Sequence, residues 1–495
     1  MTRIVRPFYP IIYVRGYAMT EGEIRDTVAT PYMGFNLGSM KIRQNYKGKV
    51  TRHVFESPLV RLMKDYGYYD NYKDGLTISG ALDPKSIIIH RYYDQADPDL
   101  GRGKVPSIQD AARGLSALIE QVRRLVLEGN PENPTDFRVY LVAHSMGGLV
   151  CRCLLQNPDV DVRDARQYVD KVFTYATPHN GIDMAGINVP RFLGIWDLNN
   201  FNREKIAEYL AIKGHPDRVD TLDGKFDPDR FFCMIGTNYK DYDVACGLSR
   251  TLAGEMSDGL VRIRNASVNG APRAYAHRSH SGHYGIVNSE EGYQNLVRFL
   301  FGDVRIDGYL EVDNLPLPPN VLKKYKAGKQ IRASYFFEAS VTPRSAKTYW
   351  LTERRKEMCS AVLREFDDML KPAKSGLNAP RWPVLFSVCL DKKKVKVGNW
   401  IVFCVELTVS TTDYEIDGFL WNDRRIEGEY LFRNTIVVRA KRDGDNWDLR
   451  YLMTDDAWGE NPGKAVERDE VGYFIPCESA KGFKAKLRLN ARKWE

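Results

Sequence analysis

Short apolar runs alternate with longer stretches of helical period over the first three hundred residues. The runs Ile11 to Val14, Ile87 to Ile89, Val139 to Val142, Val172 to Ala176 and Phe231 to Ile235 are rich in β-branched and aromatic residues. That length and content predict strands buried on both faces, as in a parallel sheet. Between two of them, "SIQDAARGLSALIEQVRRLVLEGN" sets Ile108, Ala111, Leu115, Leu118, Ile119, Val122, Leu125 and Val126 on one helical face. Ser107, with Asp110 three residues on, predicts its amino-terminal cap, and Gly129 its end. A second capped helix is predicted from Asn288 and Ser289, with Tyr293, Leu296, Val297 and Leu300 on its apolar side. Strands alternating with such helices predict an α/β domain with helices on both faces of a mostly parallel sheet, over residues 1–302.

Two long stretches interrupt the rhythm. Residues 18–84 are rich in tyrosine and glycine, and residues 182–228 carry Phe192, Trp196 and Phe201 in a polar setting. Long insertions in such sheets tend to carry function, and the second is expected to be a cap that lines a substrate pocket. Beyond residue 302 the pattern changes. Residues 303–320, with "NLPLPPN", predict a linker, and 321–495 predict a β-rich module, sandwich-like, from alternating segments such as "KVGNWIVFCVELTVSTTDYEID". One helix is expected within it at roughly 351–370.

The 495 residues are too many for one ordinary core, in keeping with two domains, and 43% hydrophobic with 27% charged residues is a globular balance. The net charge of +8 is spread thinly. Lysine runs at Lys323, Lys324, Lys326 and Lys329, and at Lys392, Lys393, Lys394 and Lys396, read first as solvated turns. The alternative is an anionic membrane surface; no nucleic-acid partner is expected. The eight cysteines show no metal-ligand spacing and suit a reducing compartment, so neither metal nor cofactor is expected. "MTRIVRPFYPIIYV" lacks an apolar leader and no run is long enough to span a membrane as a helix, so a cytoplasmic location is expected, with export by another route left open.

The candidate chemistry lies in "YLVAHSMGGLV". A strand, then Ala143-His144-Ser145-Met146-Gly147, then a helical "GGLVCRCLL" predicts a tight turn that lifts Ser145 above the carboxyl edge of the sheet. A serine hydroxyl needs a base, an acid behind the base, and donors for the developing oxyanion. "YVRGYAM" after the first strand offers the Tyr17 amide beside that of Met146, "SDGLV" offers Asp258, and "HRSHSGHYGIVNSEEGYQNL" offers His277, His280 and His283 before the closing helix.

"AHSMGG", "TPHNG" at 177–181, "DGLV" and a histidine before the last helix together resemble bacterial lipases of the α/β-hydrolase superfamily, and the inositol deacylases with a similar pattern. The resemblance covers residues 8–302. It implies Ser145 as nucleophile, Asp258 as acid, Tyr17 and Met146 as oxyanion donors, and a histidine of the 277–283 cluster as base. His283 is preferred for its place in "HYGIV", with His280 the alternative. It further implies a serine carboxyl-ester hydrolase, a lipase or esterase working through an acyl-enzyme on lipid or other acyl esters. Acyl transfer at the same site, or a binding scaffold that keeps the fold, are the alternatives. Arg15 stands where the family often has histidine.

Overall fold

The computed structural model describes the chain except residues 1–2, 17–34, 36–38, 45–47, 72–79, 97–102, 104–105, 130–133, 185–186, 189–200, 215–216, 242–255, 283–284, 345–348, 371–378, 396–399, 417–423, 444–445 and 457–462. It divides into two compact units, Met1–Phe301 and Gly302–Glu495.

The first unit is built on a parallel sheet of β1 (Ile11–Val14), β2 (Tyr69–Asp70), β3 (Ser86–Ile89), β4 (Val139–His144), β5 (Val169–Tyr175), β6 (Phe231–Gly236) and β7 (Arg273–Ala276). Their order across the sheet is β7-β6-β5-β4-β1-β3-β2. All five predicted strands are present, and β1 occupies its predicted residues. The chain leaves β1 toward β3 and returns on its other side through β4. The carboxyl ends of β1 and β4 therefore flank the point where the winding reverses, which is where open α/β sheets hold their ligands.

Helix packing follows the sequence pattern. Helix α1 (Pro58–Tyr66) lies in the 18–84 stretch, and that stretch also contributes the edge strand β2, so it is partly sheet. Helix α2 (Ile108–Glu128) buries Ile108, Ala111, Leu115, Ile119, Val122, Leu125 and Val126, and Ser107 Oγ caps it by accepting from the Asp110 amide at 3.1 Å. Helix α3 (Gly147–Gln156) follows β4, α4 (Arg203–Tyr209) lies in the 182–228 stretch, and α5 (Glu290–Phe301) closes the unit. Ser289 Oγ accepts from the Gly292 amide at the start of α5.

The second unit packs two antiparallel sheets around one core. Strand β8 (Val304–Asn314) lies in one sheet between β12 (Val384–Leu390) and β17 (Lys484–Lys493), with β16 (Tyr473–Glu478) beyond. The other sheet runs β10 (Thr352–Arg354), β9 (Ser334–Pro343), β13 (Ile401–Thr411), β14 (Tyr430–Asp443) and β15 (Asn446–Leu452), and β11 (Val362–Glu365) also pairs with β9. Leu310, Leu385 and Leu487 of the first sheet share the core with Phe337, Val405, Leu407 and Ile436 of the second.

Two expectations about this unit are corrected. The expected linker 303–320 contains β8, whose Val304, Ile306, Leu310 and Val312 alternate into the core, and only the proline-rich stretch after it connects elements. The helix expected at 351–370 is instead β10, β11 and the short α7 (Phe366–Leu370). Cys359 adopts a left-handed conformation between the strands, φ 52°, which no continuous helix accommodates.

Candidate active site

Strand β4 ends at His144, and the chain turns into α3 through Ser145, whose φ of 52° is one that residues with a side chain rarely adopt. The surroundings require it. Gly147 lies so close to β1 that a Cβ there would sit 2.1 Å from the Val14 carbonyl oxygen. The Ser145 amide donates to the Tyr175 carbonyl at 2.9 Å, and the Thr177 hydroxyl of "TPHNG" donates to the Ser145 carbonyl at 2.8 Å. Both neighbours of β4 thus hold the turn. The Met146 amide, at the entrance to α3, carries no hydrogen bond among the described residues and is available to an oxyanion.

His280 Nε2 lies 2.9 Å from Ser145 Oγ, and His280 Nδ1 lies 2.9 Å from Asp258 Oδ2. All three side chains are buried, at 4%, 3% and 1% exposure for Ser145, His280 and Asp258. The other oxygen of Asp258 accepts from the amides of Leu260 and Val261 at 3.0 and 2.8 Å, which orients Oδ2 toward the imidazole. The His280 amide donates to the Asp258 carbonyl at 3.0 Å, so the acid-bearing and base-bearing loops are joined through backbone as well as side chain.

His280, the alternative in the sequence reading, therefore occupies the place between serine and carboxylate for which His283 was preferred. His283 lies outside the described residues, as do Tyr17, Phe192 and Trp196. His277 is exposed and lies against Thr237, with Nδ1 3.3 Å from its hydroxyl oxygen. Phe201 is buried at 2% exposure, and its carbonyl accepts from the Ile182 amide. His179 of "TPHNG" is fully buried. Its Nε2 donates to the Thr174 hydroxyl, which itself donates to the Phe232 carbonyl.

Four buried polar groups around this site were not singled out from the sequence, or not for the part they play. His144 Nε2 donates to the His280 carbonyl at 2.9 Å, so this imidazole holds the backbone of its neighbour. Burial, and then the nearby His280, push the His144 pKa down to about 3, which keeps the ring neutral. Its Nδ1 faces Gly16, where a Cβ would come within 2.7 Å of it. Arg15, in place of the family's histidine, is fully buried and pairs with Asp94 at 3.1 Å; Arg91 pairs with the same carboxylate. Arg152 of α3 is also fully buried, donating to the carbonyls of His179, Val219 and Thr221 at 2.7, 2.7 and 2.6 Å. Asp183, at the start of the 182–228 stretch, accepts from Arg203, Arg264 and Asn265. A charged residue in an otherwise apolar helix or at a strand end was the only available sign, and it names no partner.

The parallel sheet, its order and the strained serine turn define an α/β-hydrolase fold. The family model described as the PGAP1-like alpha/beta domain matches residues 95–188, which include β4, the turn and α3. No curated protein matches the sequence. Among solved structures, the lipase BlEst2 of Bacillus licheniformis is 15% identical, covering 60% of this chain and 92% of its own, with a TM-score of 0.30. The metagenomic carboxyl esterase MGS0156 is 13% identical, covering 56% and 66%, with a TM-score of 0.30. Phospholipase PlaB from Legionella pneumophila is 11% identical, covering 93% of this chain and all of its own, with a TM-score of 0.31.

Among the described residues no helix is long and apolar enough to cross a membrane. Lys323, Lys324 and Lys326 occupy the last turn of α6 (Pro319–Lys326), where cations complement the helix dipole.

Proposed function

We propose that the chain hydrolyses carboxylic esters through an acyl-enzyme on Ser145. The observation that carries this reading is the hydrogen-bonded line from Ser145 Oγ through His280 to Asp258. Ser145 Oγ attacks the ester carbonyl while His280 Nε2 takes its proton, and Asp258 holds the Nδ1 proton and stabilises the imidazolium. The oxyanion is received by the Met146 amide, with the Tyr17 amide as second donor. His280 then returns the proton to the departing alcohol. A water molecule, deprotonated by His280, attacks the acyl carbonyl, releases the carboxylic acid and restores the serine.

The preferred substrates are lipid esters, a reading that rests on the sequence resemblance. The 182–228 stretch acts as a cap, supported by two clamps that tie it to the rest of the unit: Arg152 of α3 on the carbonyls of Val219 and Thr221, and Arg264 on Asp183. The second unit positions the enzyme. An alkyl fluorophosphonate tests the chemistry directly. It should label the wild-type chain and leave Ser145→Ala unlabelled, and the same substitution should lower ester hydrolysis by about three orders of magnitude or more. Unchanged hydrolysis by a folded Ser145→Ala protein would refute the proposal.

A further inference from the structure

The outer face of the β9-β13-β14 sheet carries a cleft of about 400 Å³. Two cross-strand rows form its floor: Glu338, Thr408 and Arg433 in one, Ser340, Glu406 and Thr435 in the other. These residues alternate with core positions such as Phe337, Val341, Val405 and Leu407, so they point away from the hydrophobic interior.

The walls are tied. Arg355 donates to Glu353 and Glu406 at 2.7 and 2.9 Å, and Arg354 donates to the carbonyls of Ser360 and Val384 at 2.8 and 3.0 Å. At the lip, the Thr435 amide donates to Thr454 Oγ1 and the Thr454 amide to Asn434 Oδ1. Of the floor, Glu406 and Glu338 are held by Arg355 and by the Lys356 amide, and the rest is not tied. Among the described residues the hydroxyls of Ser340, Thr408 and Thr435 and the guanidinium of Arg433 make no side-chain hydrogen bond. Ser340 is nevertheless only 2% exposed. Thr408 and Thr435 are half-buried and Arg433 is exposed, so these groups face the cleft, where water or a ligand satisfies them.

The lining selects the chemistry. Among the described residues that line it, Ala339 is the one apolar residue and none is aromatic, so the described lining is polar. Arg433, exposed in the cleft, supplies a guanidinium that favours phosphate or carboxylate oxygens; of the carboxylates beside it, Glu406 is paired with Arg355, and Asp455 lies at the lip. The three hydroxyls can donate or accept, and Glu338, one oxygen of which accepts from the Lys356 amide, can accept from a ligand hydroxyl. We propose that this cleft binds a phosphate ester flanked by hydroxyls, as in a glycerol or inositol phosphate, either free or displayed as a lipid headgroup. The site belongs to the second unit and does not depend on the proposed hydrolysis.

Calorimetric titration of the full chain with glycerol 3-phosphate tests this. Saturable binding is expected, weakened about tenfold by Arg433→Gln and similarly by Ser340→Val, which fills the floor. Both variants should keep wild-type hydrolysis of a soluble ester, which shows that they fold. Vesicles of phosphatidylglycerol in phosphatidylcholine distinguish the source: binding to vesicles alone, lost in Arg433→Gln, assigns the cleft to a headgroup. Inorganic phosphate bound as tightly as glycerol 3-phosphate would overturn the assignment to a polyol ester. Failure to bind both glycerol 3-phosphate and the vesicles, or equal binding by wild type and Arg433→Gln, would overturn the site itself.

Discussion

The imidazole of His144 donates from Nε2 to the carbonyl oxygen of His280, 136 residues further along the chain, at 2.9 Å. The residue beside Ser145 thereby fixes the backbone of the residue that faces the Ser145 hydroxyl. Its ring is centred 5.1 Å from that of His280, so the two move as a packed pair.

His144→Phe keeps the ring's bulk and removes its donor. It should lower kcat by about a hundredfold through a displaced His280, with KM within about threefold. His144→Gln can still reach the carbonyl with an amide N–H and should recover much of the loss. Steady-state kinetics on a short-chain ester, with melting temperatures as the control for folding, make the comparison. Equal kcat in the two variants would mean that His144 only fills space.

The Arg15–Asp94–Arg91 cluster predicts an asymmetry. Asp94→Leu removes the carboxylate that the fully buried Arg15 shares with Arg91, and should cost about 3–5 kcal/mol in urea unfolding. Arg15→Met should cost clearly less, because Arg91 still pairs with Asp94. A larger loss from Arg15→Met would contradict that account.

His90 gives a pH dependence with a definite sign. Its Nε2 donates to the Ala111 carbonyl at 2.7 Å, and burial pushes its pKa down to about 4. The unfolded chain takes up this proton near pH 6.5 while the folded chain resists. The stability contributed by neutral His90 is therefore complete above pH 6.5 and is lost progressively as pH falls to about 4. His90→Gln should destabilise the protein at pH 7.5 and close part of that gap by pH 5, read as urea midpoints. A gap that widens on acidification would contradict the assignment.

The parallel strands were legible because each is a short β-branched run bounded by turn residues, and helices α2 and α5 because each carries one apolar stripe behind a capping serine. Strand β8 was not, because prolines at the end of its segment masked the alternation of Val304, Ile306, Leu310 and Val312. Ser145 and Asp258 stood out through the residues around them. The choice among three nearby histidines did not, since a loop's register is set by long-range bonds such as that between the His280 amide and the Asp258 carbonyl. The partners of Arg15 and Arg152 were hidden for the same reason: sequence shows that a buried charge needs a partner, but not which one.

The proposed chemistry depends most directly on which histidine serves Ser145, and kcat/KM on a soluble ester for His280→Ala and His283→Ala measures that. His280→Ala should fall by about three orders of magnitude or more while His283→Ala stays within about tenfold of wild type. An active His280→Ala beside an inactive, folded His283→Ala would contradict the account.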